Sequence, residues 1–360
     1  MKELLVDPNG VGKRLDKYLT HVLSGAPKPL LYAQLRKKNI TLNGRRAAGN
    51  ELLSEGDRVQ CFFSDETWEK FLHPAFRVHG GEDAHPVSGG AGGSGDTLRS
   101  EADRSFAELM EAAEACFRRH PEISVLYEDP DLLIVDKPAG LLSQRAGQSD
   151  ESLNDWVLGY LLSTGAVTVR DLGVFRPGIC HRLDRNTSGI VICAVSLAAA
   201  QAVSRMLRDR TVGKYYLAAV HGEMKKEREL TGALVKDRAA NRSRVTDKGM
   251  AVRAFIRPLG YLSDADATMV EAELITGKPH QLRAQLASIG HPIVGDRKYG
   301  GSVTASDEKR FGAKWQLLHC ARITFPGTEG ALSGLSGRTF ISEAPFADRF
   351  PDLRSRKERK

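Results

Sequence analysis

Leu15, Leu19, Val22 and Leu23 recur at helical spacing and predict an amphipathic helix over 14–23. Pro29 opens a second helix over 30–38, which ends in the basic cluster Arg36, Lys37 and Lys38. Ile40-Thr41-Leu42 then reads as a short strand, and Asn43-Gly44 is a strong hairpin-turn signal. Arg45 and Arg46 follow that turn, and Glu55-Gly56-Asp57 leads into a strand over 59–63. The pattern then lapses. Seven glycines fall between Gly80 and Gly95, a stretch too poor in apolar surface to offset its ordering entropy, and it is read as a flexible linker. A short amphipathic helix is predicted over 106–119, before Pro121. Strands over 125–129 and 132–137 flank an Asp129-Pro130-Asp131 turn, Pro138 and Gly140 break the chain, and a helix follows over 153–162. A polar turn over 181–189 feeds the apolar run 190–194, and a further strand covers 214–220. Pro279 and Gly290 frame a helix of about ten residues, with Leu282, Leu286 and Ile289 as its apolar stripe and Arg283 at the stripe's border.

These elements divide the chain into a small domain over 1–64, a glycine-rich linker with a short helix over 65–120, a main domain over 121–350 and a basic tail over 351–360. The expected fold class is α+β, a mixed and mainly antiparallel sheet with helices packed beside it. Net charge sharpens the picture. The 360 residues carry +7, and residues 1–63 hold eleven Lys and Arg against six Asp and Glu, so the excess is concentrated in the small domain. Arg14, Arg36, Lys37, Lys38, Arg45 and Arg46 are its candidate contacts to a polyanion, against a plain solvated basic face as the alternative. Five scattered cysteines form no C-x-x-C pair, which argues against a disulfide framework or a zinc site and suits a reducing compartment. The N-terminus has no apolar signal region and no stretch approaches a membrane span, so a cytoplasmic location is expected.

The densest chemistry lies in His181-Arg182-Leu183-Asp184-Arg185. A carboxylate flanked by two arginines at the mouth of a core strand is held ionised by its neighbours. Standing alone, such a cluster is better explained by a structural ion-pair network. His181, His280, His291 and His319 show no ligand-type spacing, so no metal is expected.

The longer strings decide between those readings. HRLDRNTSGIVICA resembles the catalytic motif of the RluA-type pseudouridine synthases, and DPDLLIVDKPAG before it resembles their first motif. GKYYLAAVHG and TGKPHQLRAQLASIGHPIVGDRKYG resemble the later ones, in family order across about 125–325. GKRLDKYL, PKPLLYAQLRKKNITLNG and the L-x-x-G-D-x-V ending resemble the alpha-L RNA-binding module of ribosomal protein S-four type. The resemblance implies uridine isomerisation in structured RNA without a cofactor. It implies Asp184 as catalytic carboxylate, Tyr216 stacking on the target base, Arg283 as the bidentate partner of Asp184, and Arg182 filling the gap left by the extruded nucleotide. Ribosomal large-subunit RNA is the preferred substrate, with transfer RNA or a non-catalytic role in ribosome assembly as the alternatives, and a monomer is expected. The chain departs from the family pattern after KPAG, where Leu142-Ser143-Gln144-Arg145 replaces an apolar-His-Pro turn.

Overall fold

In the computed structural model, residues 1–77, 101–147, 149–237, 242–246 and 248–350 are described. The glycine-rich run 80–95 and the basic tail 351–360 lie outside them. The chain forms two compact units.

The first comprises Met1–Arg119, Asp155–Gly178 and Ala194–Ala200. Its sheet has the order β1-β4-β2-β3, with β1 Lys2–Leu5, β2 Ile40–Leu42, β3 Arg45–Arg46 and β4 Arg58–Cys61. Asn43 and Gly44 both have positive φ (51° and 74°), the geometry that lets a two-residue turn match the strand twist. Helix α1 (Leu15–Val22) buries the predicted face, with Leu15, Leu19, Val22 and Leu23 wholly enclosed. Helix α2 (Lys28–Arg36) places Pro29 in its first turn, where a missing N–H costs nothing. Packing does not stop at residue 64: α3 (Asp65–Phe71) and α4 (Pro74–Arg77) follow, and Trp68 and Leu72 join the same core. Helix α5 (Glu101–Arg119) begins five residues earlier than its apolar pattern suggests, and α6 is Leu153–Ser163. A Cβ at Gly159 would lie 2.3 Å from the Ala113 carbonyl oxygen, so glycine there permits the two helices to touch.

The second unit, built from His120–Asn154, Ile179–Cys193 and the residues from Gln201 onward, carries an 11-stranded sheet. Its strands are β5 Ser124–Glu128, β6 Leu132–Lys137, β7 Gly178–Ile179, β8 Ser188–Ala194, β9 Gly213–His221, β10 Arg228–Asp237, β11 Arg242–Thr246, β12 Met250–Leu262, β13 Ala267–Leu274, β14 Leu318–Thr324 and β15 Thr339–Ile341. The main path runs β11-β10-β12-β13-β9-β14-β8-β6-β5. Strand β14 pairs antiparallel with β9 and parallel with β8, making the sheet mixed but mostly antiparallel. Helices α7 (Leu197–Asp209), α8 (Gln281–Ser288) and α9 (Asp307–Phe311) complete the order. The sheet's centre positions the site. Cys320 of β14 lies opposite Tyr216 of β9 on one side and Gly189 of β8 on the other. Gly189 has φ +115°, and a Cβ there would meet the Cys320 backbone at 2.4 Å, so only glycine lets these strands approach.

Candidate active site

Asp184 sits in the turn that enters β8, and its loop is held by the segment that follows β6. The Gly140 N–H donates to the Arg185 carbonyl (2.9 Å), while Arg185 Nε donates back to the Gly140 carbonyl (3.0 Å). Ser143 Oγ donates to the Leu183 carbonyl (2.7 Å) and accepts from the Leu183 N–H (3.0 Å). The departure from the family pattern after KPAG thus supplies a buried hydroxyl that satisfies both backbone groups of the residue before Asp184. The Thr187 N–H closes the turn on the Asp184 carbonyl at 3.0 Å.

Lys137, at the end of β6, is 1% exposed and donates its three ammonium hydrogens to the carbonyls of Pro138 (2.7 Å), Leu141 (2.8 Å) and Arg185 (3.1 Å). It ties the two loops together. Burial pulls its pKa down to about 7, against the opposing pull of Asp184 and Asp136. An unfolded lysine titrates near 10.4, so between roughly pH 7 and 10 the unfolded chain holds one more proton here than the folded one. This site's contribution to stability therefore rises with pH across that window. Urea denaturation should show the wild type gaining on Lys137→Met from pH 6.5 to 9.5, whereas a constant gap would mean that the carbonyl cage retains the proton.

Arg283 lies on α8 and is 8% exposed. Its NH1 donates to Asp184 Oδ2 at 2.9 Å, as expected, but the bidentate partner is a different carboxylate. Nε and NH2 bond the two oxygens of Asp296 at 2.7 and 2.9 Å, which corrects the two-point pairing with Asp184. The reason is the helix itself. Gln281 to Leu286 are all buried, so α8 has no apolar stripe with a border, and Arg283 points into a polar interior built to receive it. Burial opposes its charge, but Asp296 and Asp184 more than offset this, and its pKa is raised. Asp296 is wholly enclosed and also accepts from the N–H groups of Lys298 and Tyr299. The Asp184 side chain is 24% exposed. Of the two carboxylates that share this guanidinium, only Asp184 is open to an incoming ligand.

Tyr216 is 5% exposed and faces Asp184 electrostatically, while Tyr215 turns to the other face and meets Arg322 at 3.6 Å and Glu273 at 3.4 Å. Burial, then the Cys320 thiol and the Asp184 charge, push the Tyr216 phenol well up, so it is a neutral hydrogen-bond donor in the resting site. The motif histidine His181 accepts from the Ile192 N–H (3.2 Å), and burial lowers its pKa to about 3, so it is a neutral structural acceptor. Among the described residues, no trio of metal-ligand side chains gathers around Asp184.

The structure thus brings Asp184 and Arg283 into contact and puts Tyr216 within electrostatic reach of Asp184. Arg182 is exposed two residues from the carboxylate. In the first unit Arg36, Lys37, Lys38, Arg45 and Arg46 are exposed, whereas Arg14 is engaged with Asp16 at 3.0 and 3.1 Å, itself bonded by Tyr32. Sequence reasoning overlooked Asp296, Lys137 and Ser143 as site residues. A lysine closing a strand as apolar as 132–135 was the available signal for one of them.

A carboxylate offered to solvent from a buried guanidinium, with a neutral phenol within electrostatic reach, is a candidate for carboxylate-based chemistry. Residues 131–288 match the RNA pseudouridylate synthase family model, and the chain belongs to that family. Within it the chain is of the RluA type. It is 29% identical to ribosomal large subunit pseudouridine synthase C of Vibrio cholerae, over 91% of this chain and 90% of the relative. It is also 29% identical to ribosomal large subunit pseudouridine synthase D of Nitrosomonas europaea, over 96% and 85%. The solved structure of human RNA pseudouridylate synthase domain containing 4 shares the fold, with a TM-score of 0.51 and 23% identity over 69% of this chain and 98% of its own.

Proposed function

We propose that this RNA pseudouridine synthase acts on ribosomal large-subunit RNA in the cytoplasm, as a monomer, with Asp184 as the carboxylate at the ribose–base junction. The observation that carries the assignment is the asymmetry between the two carboxylates on Arg283: Asp296 is sealed and Asp184 is open. Isomerisation breaks the bond from uracil N1 to ribose C1′, turns the base and forms the bond from C5 to C1′. The C5 hydrogen leaves as a proton and N1 acquires one, so atoms balance without an oxidant or a co-substrate. A positioned carboxylate is the group this needs, as nucleophile or as base. Arg283 orients it. Tyr216, held neutral, supplies a ring for the extruded base and a phenol hydrogen rather than a base.

The exposed basic residues Arg36, Lys37, Lys38, Arg45 and Arg46 are proposed to hold phosphates without reading sequence, through an alpha-L type module. Arg182 is proposed to fill the space that the extruded nucleotide vacates. The names of the relatives support the large-subunit RNA as substrate. Chemical mapping of pseudouridine in total RNA, from cells with and without the protein, tests this. One or a few large-subunit positions should lose the modification. Loss confined to transfer RNA would reassign the substrate, and an unchanged map would refute the proposal.

A further inference from the structure

His280 stands immediately before α8 with φ +56°, in the left-handed region that costs a side-chain-bearing residue free energy. The other non-glycine residues with positive φ among those described are Lys38, Asn43, Arg210 and Asp266. They lie in turns or just past helix ends, where a reversal of the chain calls for such a conformation. His280 is the third residue of a turn in which Pro279 is second and the Gln281 N–H donates to the Lys278 carbonyl at 3.1 Å, and its side chain makes no capping bond to the helix that follows.

The turn leaves the ring free to bond elsewhere. Nδ1 lies 2.9 Å from Tyr299 Oη, and that oxygen already accepts the Ser243 N–H at 2.7 Å. The phenol hydrogen is then free to go to Nδ1, which leaves the ring proton on Nε2. Nε2 faces Asp184 Oδ2 at 3.9 Å, where an N–H is favoured over a lone pair by the carboxylate's charge. The separation is too long for a hydrogen bond between the two. It is right for two groups that face one oxygen placed before them both.

We propose that His280 is a substrate-contacting residue, whose Nε2–H donates to the 2′-hydroxyl oxygen of the uridine undergoing isomerisation. This rests on Asp184 being the carboxylate that works at C1′, since the 2′-hydroxyl is carried by the adjacent carbon. It would also give the site a means of telling RNA from DNA at the reacting nucleotide. Tyr299 is the positioning residue that fixes the ring.

The test uses purified full-length protein and a short RNA hairpin spanning the uridine identified by the mapping above, made with either ribose or 2′-deoxyribose at that nucleotide alone. Asparagine tolerates positive φ, and its amide reaches only as far as histidine Nδ1, so His280→Asn keeps the backbone and removes the donor. Single-turnover rates should fall about tenfold for His280→Asn on the ribose hairpin, the scale of one lost hydrogen bond, and about tenfold for wild type on the deoxy hairpin. Combining the two should give no further loss. Tyr299→Phe should slow the ribose reaction by a smaller factor. Equal rates for wild type and His280→Asn on ribose, no deoxy penalty in wild type, or penalties that multiply to about a hundredfold would each overturn the contact. An Asp184→Asn variant that stays active would instead overturn the underlying assignment. Unchanged melting temperatures separate both outcomes from misfolding.

Discussion

Asp184→Asn is expected to lower the rate of pseudouridine formation by at least about 10²–10⁴-fold, the range spanned by a lost acid–base group, and to leave the protein folded. The two halves of this expectation come from different atoms. The substitution removes the partly exposed negative charge that Arg283 NH1 holds at 2.9 Å. It does not orphan the guanidinium, because Nε and NH2 remain bonded to Asp296. An asparagine carbonyl can also still accept from NH1. The cost in stability should therefore stay within about 1–2 kcal/mol, the scale of one weakened hydrogen bond to a charged group. Single-turnover kinetics and urea denaturation on the same preparation check both halves. Activity within tenfold of wild type would remove Asp184 from the chemistry, and a collapse in stability would make its role structural.

Much of this site could be read from local pattern. The turn over 181–189, the strand that bears Tyr216 and the helix that bears Arg283 each have a periodicity or punctuation of their own. Their neighbours do not. Arg283 and Asp296 are thirteen residues apart across a helix end and a loop, and Ser143 meets Leu183 across forty. No spacing rule connects such pairs, since they meet only in the folded chain. The border position inferred for Arg283 failed for a related reason. Periodicity assumes that one helix face meets water, whereas α8 is enclosed through Leu286 and satisfies Gln281 and Gln285 internally. The strands β10 to β13 were passed over because several of them are rich in charged and small residues, as in RELTGALVKD, and alternate only weakly. The Asn43-Gly44 hairpin and the α1 face were legible because each depends on adjacent residues alone.

The largest loss of stability is expected from Asp296→Ala. Arg283 is a buried cation with three bonds to carboxylate oxygens, two of them to Asp296. Removing that carboxylate leaves a buried guanidinium with one remaining carboxylate contact, to a half-open acid. Breaking a buried pair from one side costs about 3–5 kcal/mol, most of it the desolvation of the charge left behind. The N–H groups of Lys298 and Tyr299 lose their acceptor as well. Asp296→Asn separates position from charge. It keeps the shape and one acceptor, so it should cost less, but it leaves Asp184 as the sole carboxylate for Arg283. The guanidinium is then free to turn toward Asp184 and cover the oxygen that must meet the substrate, and activity should fall further than stability does. Replacing both members at once, Arg283→Met with Asp296→Leu, should restore much of the stability lost in Asp296→Ala, because no buried charge remains unpaired. It should restore no activity, because Asp184 then has nothing to orient it. Urea midpoints for the three variants, set beside their single-turnover rates, check this ordering. A double variant as active as wild type would show that Arg283 and Asp296 hold the fold together and do nothing for Asp184.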